Sequence, residues 1–271
     1  MTTVIPRSYI ENYSKSLNMI SDTAKSRLVG ALEQVDYTRP AAEVRDAVIT
    51  IMQAACGAST DVTARLAADF YDGLRVLMVG ERMGAVADSM RNPDATDGAV
   101  RAFIQTIVDG GETDSFIKQC ASRLDYENRK AANLCVYENA KTDQLKPKWA
   151  RIPQGDDTCS YCIIMASRGF VYGDEDMASH THENCDCRIA PSWESDAEIE
   201  GYKENLASYK AVYDAARDLL RDDDKPEELR LRIESAKNKH IADYEAGRTK
   251  TKWTELNELT ICARWLNPQL H

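Results

Sequence analysis

From Pro6 onward, apolar residues recur every three or four positions, and Tyr9, Tyr13, Leu17 and Ile20 fall on one face of a helix that Pro6 starts. The next periodic stretch, about Ala41 to Cys56, predicts a second helix ended by Gly57. Ser59 or Thr60 then caps a third, whose expected core stripe is Val62, Leu66, Phe70, Leu74 and Leu77. A turn at Arg91-Asn92-Pro93-Asp94 resets the chain. Helices from about Thr96 to Val108 and from Thr113 to Ala140 flank a Gly110-Gly111 break. The pattern predicts a helical N-terminal region over residues 1–145.

At Leu145-Lys146-Pro147-Lys148 the periodicity stops. Residues 146–193 are irregular and rich in Cys, His, Gly and Asp, with Gly169-Phe170-Val171-Tyr172 as the best strand signal. Any sheet is therefore expected to be small and to sit here. Helical spacing returns with Ile199, Tyr202, Leu206, Tyr209, Tyr213, Ala216 and Leu220. Asp222-Asp223-Asp224-Lys225-Pro226 ends that helix and opens another, with Glu227 and Glu228 in its first turn, where the helix dipole favours them. Residues 194–271 read as a C-terminal helical region built on a hairpin, and Trp253 to His271 are too mixed to assign.

Composition narrows the class. Few Gly and Pro (13 and 8), 43% hydrophobic residues and 29% charged residues suit a soluble, mainly helical protein and exclude collagen-like or low-complexity architectures. With 34 Lys and Arg against 44 Asp and Glu the net charge is −10, so wrapping of nucleic acid by the whole surface is not expected. Between Lys237 and Lys252 the balance reverses locally. Lys237, Lys239, Arg248, Lys250 and Lys252 face only Asp243 and Glu245 there, a candidate patch for weak, sequence-independent contact with DNA phosphates. Arg7, Glu11, Lys15, Asp22, Lys25 and Arg27 interrupt any secretory signal, and no apolar run approaches membrane-spanning length. An intracellular protein without membrane association is expected.

The chemistry concentrates in the middle. Cys159-Ser-Tyr-Cys162 and His182-Glu-Asn-Cys185-Asp-Cys187 deliver two short ligand pairs separated by a loop, the way structural zinc is usually held. Cys159, Cys162, His182, Cys185 and Cys187 are five candidates for four positions, and the set stays open; His180 reads as a surface or supporting residue. Buried reduced thiols or a disulfide are the plainer alternative.

Catalytic readings fare less well. A zinc deaminase needs His-x-Glu ahead of its Cys pair, and neither His180 nor His182 has Glu two residues on. The His-Glu-x-x-His of metalloproteases fails because position 186 is Asp. A Cys-x-x-Cys redox pair would have Asp156 and Asp157 opposing its thiolate. A hydrolase would use His182 as base for Cys159 or Cys162. A small Cys-dependent redox or hydrolytic enzyme is thus the alternative function, and no enzyme the preferred one. Cys56, Cys120, Cys135 and Cys262, each isolated on an apolar face, read as core residues.

The run Trp149-Ala-Arg151-Ile-Pro153-Gln-Gly155, Cys159-x-x-Cys162, Ala166-Ser-Arg168-Gly169-Phe170-Val-Tyr172 and His182-x-x-Cys185-x-Cys187-Arg188 through Pro191 resembles the phage Mu F-like minor head proteins. It is most similar to their actinobacterial-phage head-morphogenesis branch. The resemblance covers roughly Lys130 to Ser192, with Asp186 and the extra His180 as departures. It implies a minor capsid protein in the capsid interior near the portal. Such a protein would bind the portal, and capsid or scaffold, and would accompany packaged DNA or influence its ejection. The expected fold is mainly α with a small α+β nucleus stapled by structural zinc, containing a short hairpin.

Overall fold

The computed structural model describes residues 3–155, 158–179, 187–249 and 251–270. The chain opens with strand β1 (Val4–Ile5) and helix α1 (Arg7–Leu32), followed by α2 (Ala41–Val79). After an extended segment come α3 (Pro93–Phe103), the short α4 (Gln105–Val108) and α5 (Thr113–Thr142). The middle holds β2 (Lys148–Ile152), α6 (Ser160–Ala166), α7 (Glu175–Ser179) and β3 (Arg188–Ser192). Strand β4 (Glu198–Ile199) leads into α8 (Lys203–Arg221), α9 (Glu227–Glu245) and α10 (Glu255–Leu266). The protein is mainly helical, as its periodicity predicts, and no described helix is long and apolar enough to cross a membrane.

Helix α2 corrects the expected break at Gly57. It runs uninterrupted for 39 residues. A mid-helix glycine costs roughly 1 kcal/mol relative to alanine, less than the burial gained by Val48, Met52 and Cys56 before it and by Ala64, Ala67, Phe70 and Leu74 after it. Ser59 and Thr60 do not cap a new helix. Their hydroxyls donate back to the Cys56 carbonyl, at 3.4 and 2.7 Å. Continuity also rotates the core stripe: Val62 and Leu77 are exposed, while Thr63, Ala64, Ala67 and Tyr71 face inward. At Gly73 the Tyr9 ring of α1 packs onto the bare backbone of α2: a Cβ there would lie 1.7 Å from the Tyr9 Oη, so a larger residue would displace the tyrosine.

Helices α1, α2 and α5 form the framework. At one end Leu28 and Leu32 of α1, Val44, Val48 and Met52 of α2, and Phe116, Cys120 and Leu124 of α5 make one core. At the other end Tyr13, Phe70, Ala132 and Val136 make a second, which continues into Trp149, Ile152, Ile189 and Ala190 of β2 and β3. The early residues of α2 and α5 therefore meet at one end and their late residues at the other, so these two helices are parallel.

Parallel neighbours need a return connection, and residues 80–92 supply it. Gly80, with φ 93°, ends α2 in the left-handed conformation. The chain then runs back along α2 without a sheet partner. Met83 and Ala85 donate their N–H groups to Asp72, Ser89 donates to Asp61, and Arg91 donates to the Gln53 carbonyl. This strap spans nearly the length of helix beside it, turning only at Gly84 and Met90, where φ is 79° and 48°. Asn139 on α5 grips its middle, accepting from the Val86 N–H and donating to the Val86 carbonyl at 2.8 and 2.9 Å. The Asn92 side chain then accepts from the Ala95 N–H and starts α3 at Pro93, three residues earlier than the expected Thr96.

The sheets are small, and they are not the expected hairpin. Strands β2 and β3 pair antiparallel, Lys148 opposite Ser192 through Ile152 opposite Arg188, across a long excursion. The parallel pair β1–β4 takes Ile199 out of the helix to which its spacing assigned it. Of the predicted strand Gly169–Tyr172, only Tyr172 pairs. Trp149 sits opposite Pro191 in the ladder with its own N–H and C=O directed to the other edge of β2, where it exchanges both backbone hydrogen bonds with Tyr172 at 3.1 Å. Just before it, the Val171 N–H turns back onto the Gly169 carbonyl, which stops the strand from extending.

The C-terminal pairing also differs from a simple hairpin. Ala216 of α8 packs with Leu259, Cys262 and Ala263 of α10 and Ile164 of α6, and α9 contributes Leu229 from its first turn. The mixed last segment is thus the helix that closes this core, started by a capping box between Thr254 and Asn257.

Asp143, directly after α5, ties these parts together. Its fully buried carboxylate accepts from Tyr71 Oη (3.0 Å), Arg75 Nε (2.9 Å), Trp193 Nε1 (3.1 Å) and the Leu145 N–H (2.9 Å). Burial works to raise its pKa, but the Leu145 N–H, Arg75, Tyr71 and Trp193 outweigh it and hold the carboxyl below its ordinary value. A depressed folded pKa contributes stability that is complete above the ordinary carboxylate range near pH 4 and is lost as pH falls through the lower folded value. Asp143→Asn is expected to lower the unfolding free energy by about 3 kcal/mol, because buried Arg75 loses its buried counter-charge and keeps only the exposed Glu81. Denaturant unfolding from pH 7 down to pH 2 would check it: wild type should lose part of its advantage over the variant across the acid limb. Equal stability at pH 7 would refute the assignment.

Candidate functional site

The Cys segment is positioned by the two strands on either side of it. Strand β2 ends at Ile152, and the chain then reaches Cys159, the N-cap of α6, whose Sγ accepts the Cys162 N–H at 3.4 Å. Cys162 follows one turn later on the same short helix. Cys187 directly precedes β3, and the register of β2 and β3 returns it to the same end of the sheet. Cys159, Cys162 and Cys187 form a buried cluster with Tyr161 packed on it, and their exposures are 4%, 0% and 1%. Three of the five ligand candidates thus lie together, while His182 and Cys185, like His180, fall outside the described residues. Among the described residues no group of three or more His, Cys, Asp or Glu is arranged to hold a metal ion.

What the thiols can do follows from this setting. Three soft sulfur donors in one dry cluster suit metal ligation or mutual oxidation better than attack on a substrate, which needs access. The other described cysteines lie apart from this cluster. Burial pushes the Cys56 and Cys120 thiols up to about 12 and those of Cys135 and Cys262 up to about 11. They pack as core residues, and Cys135 donates to the Ala64 carbonyl at 3.3 Å.

Two buried arginines hold the cluster's supports, and sequence reasoning passed over both. Arg151, on β2, donates to the Met177 carbonyl at 2.5 Å and lies over the Tyr161 ring, 5.6 Å from its centroid. Arg188, on β3, donates to the Cys187 carbonyl at 3.0 Å and to Asn18 Oδ1 at 2.8 Å, joining the thiol segment to α1. Little in the sequence marked them: Arg151 shares its strand with Lys148, and Arg188 stands at the first position of its own, although each is buried and so needs partners. Asn133 adds a third anchor by accepting the Ile189 N–H at 3.3 Å. Behind α6, Arg264 of α10 donates to Ser160 Oγ at 3.0 Å.

The basic candidates do not share one face. Lys237 and Lys239 are exposed on α9, but two residues apart on a helix is about 200° of rotation. Arg248 pairs with Asp243 at 2.6 Å. His240 meets the Thr251 carbonyl at 2.8 Å and the Trp253 ring edge-on, folding the following loop against α9. Lys252 is exposed, and Lys250 lies outside the described residues.

A protein-family model described as VG15 protein matches residues 4–216, from β1 to Ala216 in α8. No curated protein and no solved structure matches the chain.

Proposed function

The chain belongs to the VG15 protein family, which is phage-associated and virion-related, and on that premise we propose that it is a minor capsid protein of head morphogenesis that associates with the portal. The family match across most of the chain is the observation that carries this reading. The Mu F-like order of motifs between Lys130 and Ser192 supports its finer part, a place in the capsid interior near the portal with contacts to capsid or scaffold. A rigid three-helix framework that presents a locally cross-linked segment suits an adaptor between larger assemblies.

The cross-link is structural zinc, held by four of Cys159, Cys162, His182, Cys185 and Cys187. The fit rests on the three buried thiols that meet beside α6, one of them at a helix N-terminus. Zinc there would supply local folding energy to the ends of β2, α6 and β3 where the thiols meet. The alternative, a Cys-dependent redox or hydrolytic enzyme using Cys159 or Cys162, is disfavoured by the burial of both sulfurs. Contact with DNA is weak and electrostatic, since the basic residues near α9 are scattered and Arg248 is already paired.

Four outcomes are expected. Protein purified without tags or added metal should contain about one zinc per chain by elemental analysis, since four ligands make one structural site. Cys159→Ser or Cys187→Ser should then expose residues 149–193 to protease while leaving the outer helices intact; absence of metal under reducing conditions would sink the zinc. Co-expressed with the cognate portal, the chain should co-elute on size exclusion, and failure to do so at low and moderate salt would remove the portal. Duplex DNA shifts should weaken steeply with salt and drop when Lys237 and Lys239 become Glu; an unchanged shift would remove the patch.

A further inference from the structure

Away from the thiol cluster, a groove of about 350 Å³ opens between β2, the turn after α6, β4 and α8. That is within the size range of sites that take a small ligand or an anchoring side chain. Its wall on α8 carries Lys203, Leu206 and Lys210. Spacings of three and four place them on one stripe of the helix, with the cations roughly 10 Å apart along the axis. Ile152 and Phe170 line the floor beside Leu206, and Arg168 stands on the facing turn with its guanidinium over the Tyr172 ring.

Neither Lys203 nor Lys210 has a hydrogen bond or ion pair with the described residues, although both are exposed in a chain of net charge −10. The groove's two carboxylates, Asp196 and Glu198, sit on the segment that leads into α8. Basic groups outnumber them, with Lys203 and Lys210 on α8 and Arg168 on the turn after α6. A phosphate backbone, negative on every side, cannot avoid those carboxylates. A ligand with two spaced negative charges and an apolar group between them can meet the lysines alone.

We propose that this groove docks an extended peptide segment of a partner protein in which two acidic side chains flank a bulky apolar one at alternate positions. In extended backbone alternate side chains share a face and each residue advances 3.3 Å, so an acid–x–apolar–x–acid run spans roughly 13 Å. The lysine arms, flexible over four methylenes, close the difference from the 10 Å between their backbone positions. The central side chain reaches Leu206, Ile152 and Phe170, and the two carboxylates meet Lys203 and Lys210. The surface is separate from the thiols and from the residues near α9, and it stands whether or not the chain binds zinc or a portal.

The test uses the full chain and a fluorescein-labelled Gly-Glu-Ser-Phe-Ser-Glu-Gly peptide, followed by anisotropy at low salt. Saturable binding is expected. Affinity should fall about tenfold in the Lys203→Glu, Lys210→Glu double variant, where two attractions become repulsions. It should also fall for a peptide of the same composition with both Glu adjacent and Phe at the end. Both lysines are exposed, so the variant's thermal transition should match wild type and separate lost binding from lost folding. Absence of saturable binding, equal affinity in the folded double variant, or equal affinity for the rearranged peptide would overturn the proposal. So would displacement of the peptide by a short DNA duplex at equal phosphate and carboxylate concentrations.

Discussion

The arrangement around the Cys segment depends on one buried carboxylate. Asp143 sits where α5 stops, and the groups that converge on it come from the end of α2 (Tyr71 and Arg75), from the turn that begins the path to β2 (Leu145), and from just past β3 (Trp193). Two helix ends and the two strands that bracket Cys159 and Cys187 thereby share one anchor. A buried charge with four donors is specific in direction as well as favourable in energy, because any shift of one element leaves a donor or the carboxylate without its partner. The strand pair is only five residues long, too short to hold its own orientation in water, and takes it from this anchor and from the apolar core beneath Trp149 and Ile189.

A second constraint comes from direction. Because α2 and α5 are parallel, the chain must travel back along α2 before α5 can begin, and it does so as an extended strap with no neighbouring strand. The backbone groups of such a strap would be left to solvent or buried unmet; here Asp72, Asn139 and Cys135 meet several of them. These side chains stand in for a missing sheet. Asn139 is the clearest instance, for its amide reproduces on one residue the donor and acceptor pair that a neighbouring strand would offer Val86.

These two features mark the limit of what was legible in the chain. Helical periodicity located the long helices because each buries a continuous face, and the two-pair spacing brought attention to Cys159, Cys162 and Cys187, which the fold does place together. Gly57 misled because punctuation is a local signal, while the burial that overrides it is spread along the whole of α2. The strand at Gly169–Tyr172 misled for a related reason: aromatic and β-branched content favours extension, but pairing is decided by the partner, and the edge of β2 away from β3 meets this segment only at Trp149. Asp143, Arg151 and Arg188 were invisible as anchors, since their roles arise from residues far apart in sequence that meet only in the folded chain.

The last helix connects the part of the chain outside the family match to the part that carries the chemistry. The match ends at Ala216, yet Ala216 is itself buried against Leu259, Cys262 and Ala263 of α10, and that same core takes in Ile164 from α6. Arg264 reaches further, to the hydroxyl of Ser160, the residue between Cys159 and the rest of its helix. Alone, a helix of seven residues has too few internal hydrogen bonds to offset the cost of ordering them, so α6 owes its form to what covers it. On one side that cover is the core shared with the three long helices, through Met165; on the other it is α8 and α10. The position of Cys159 and Cys162 is therefore fixed from both directions, and the C-terminal helices act on the thiol segment through packing and through the Arg264 hydrogen bond.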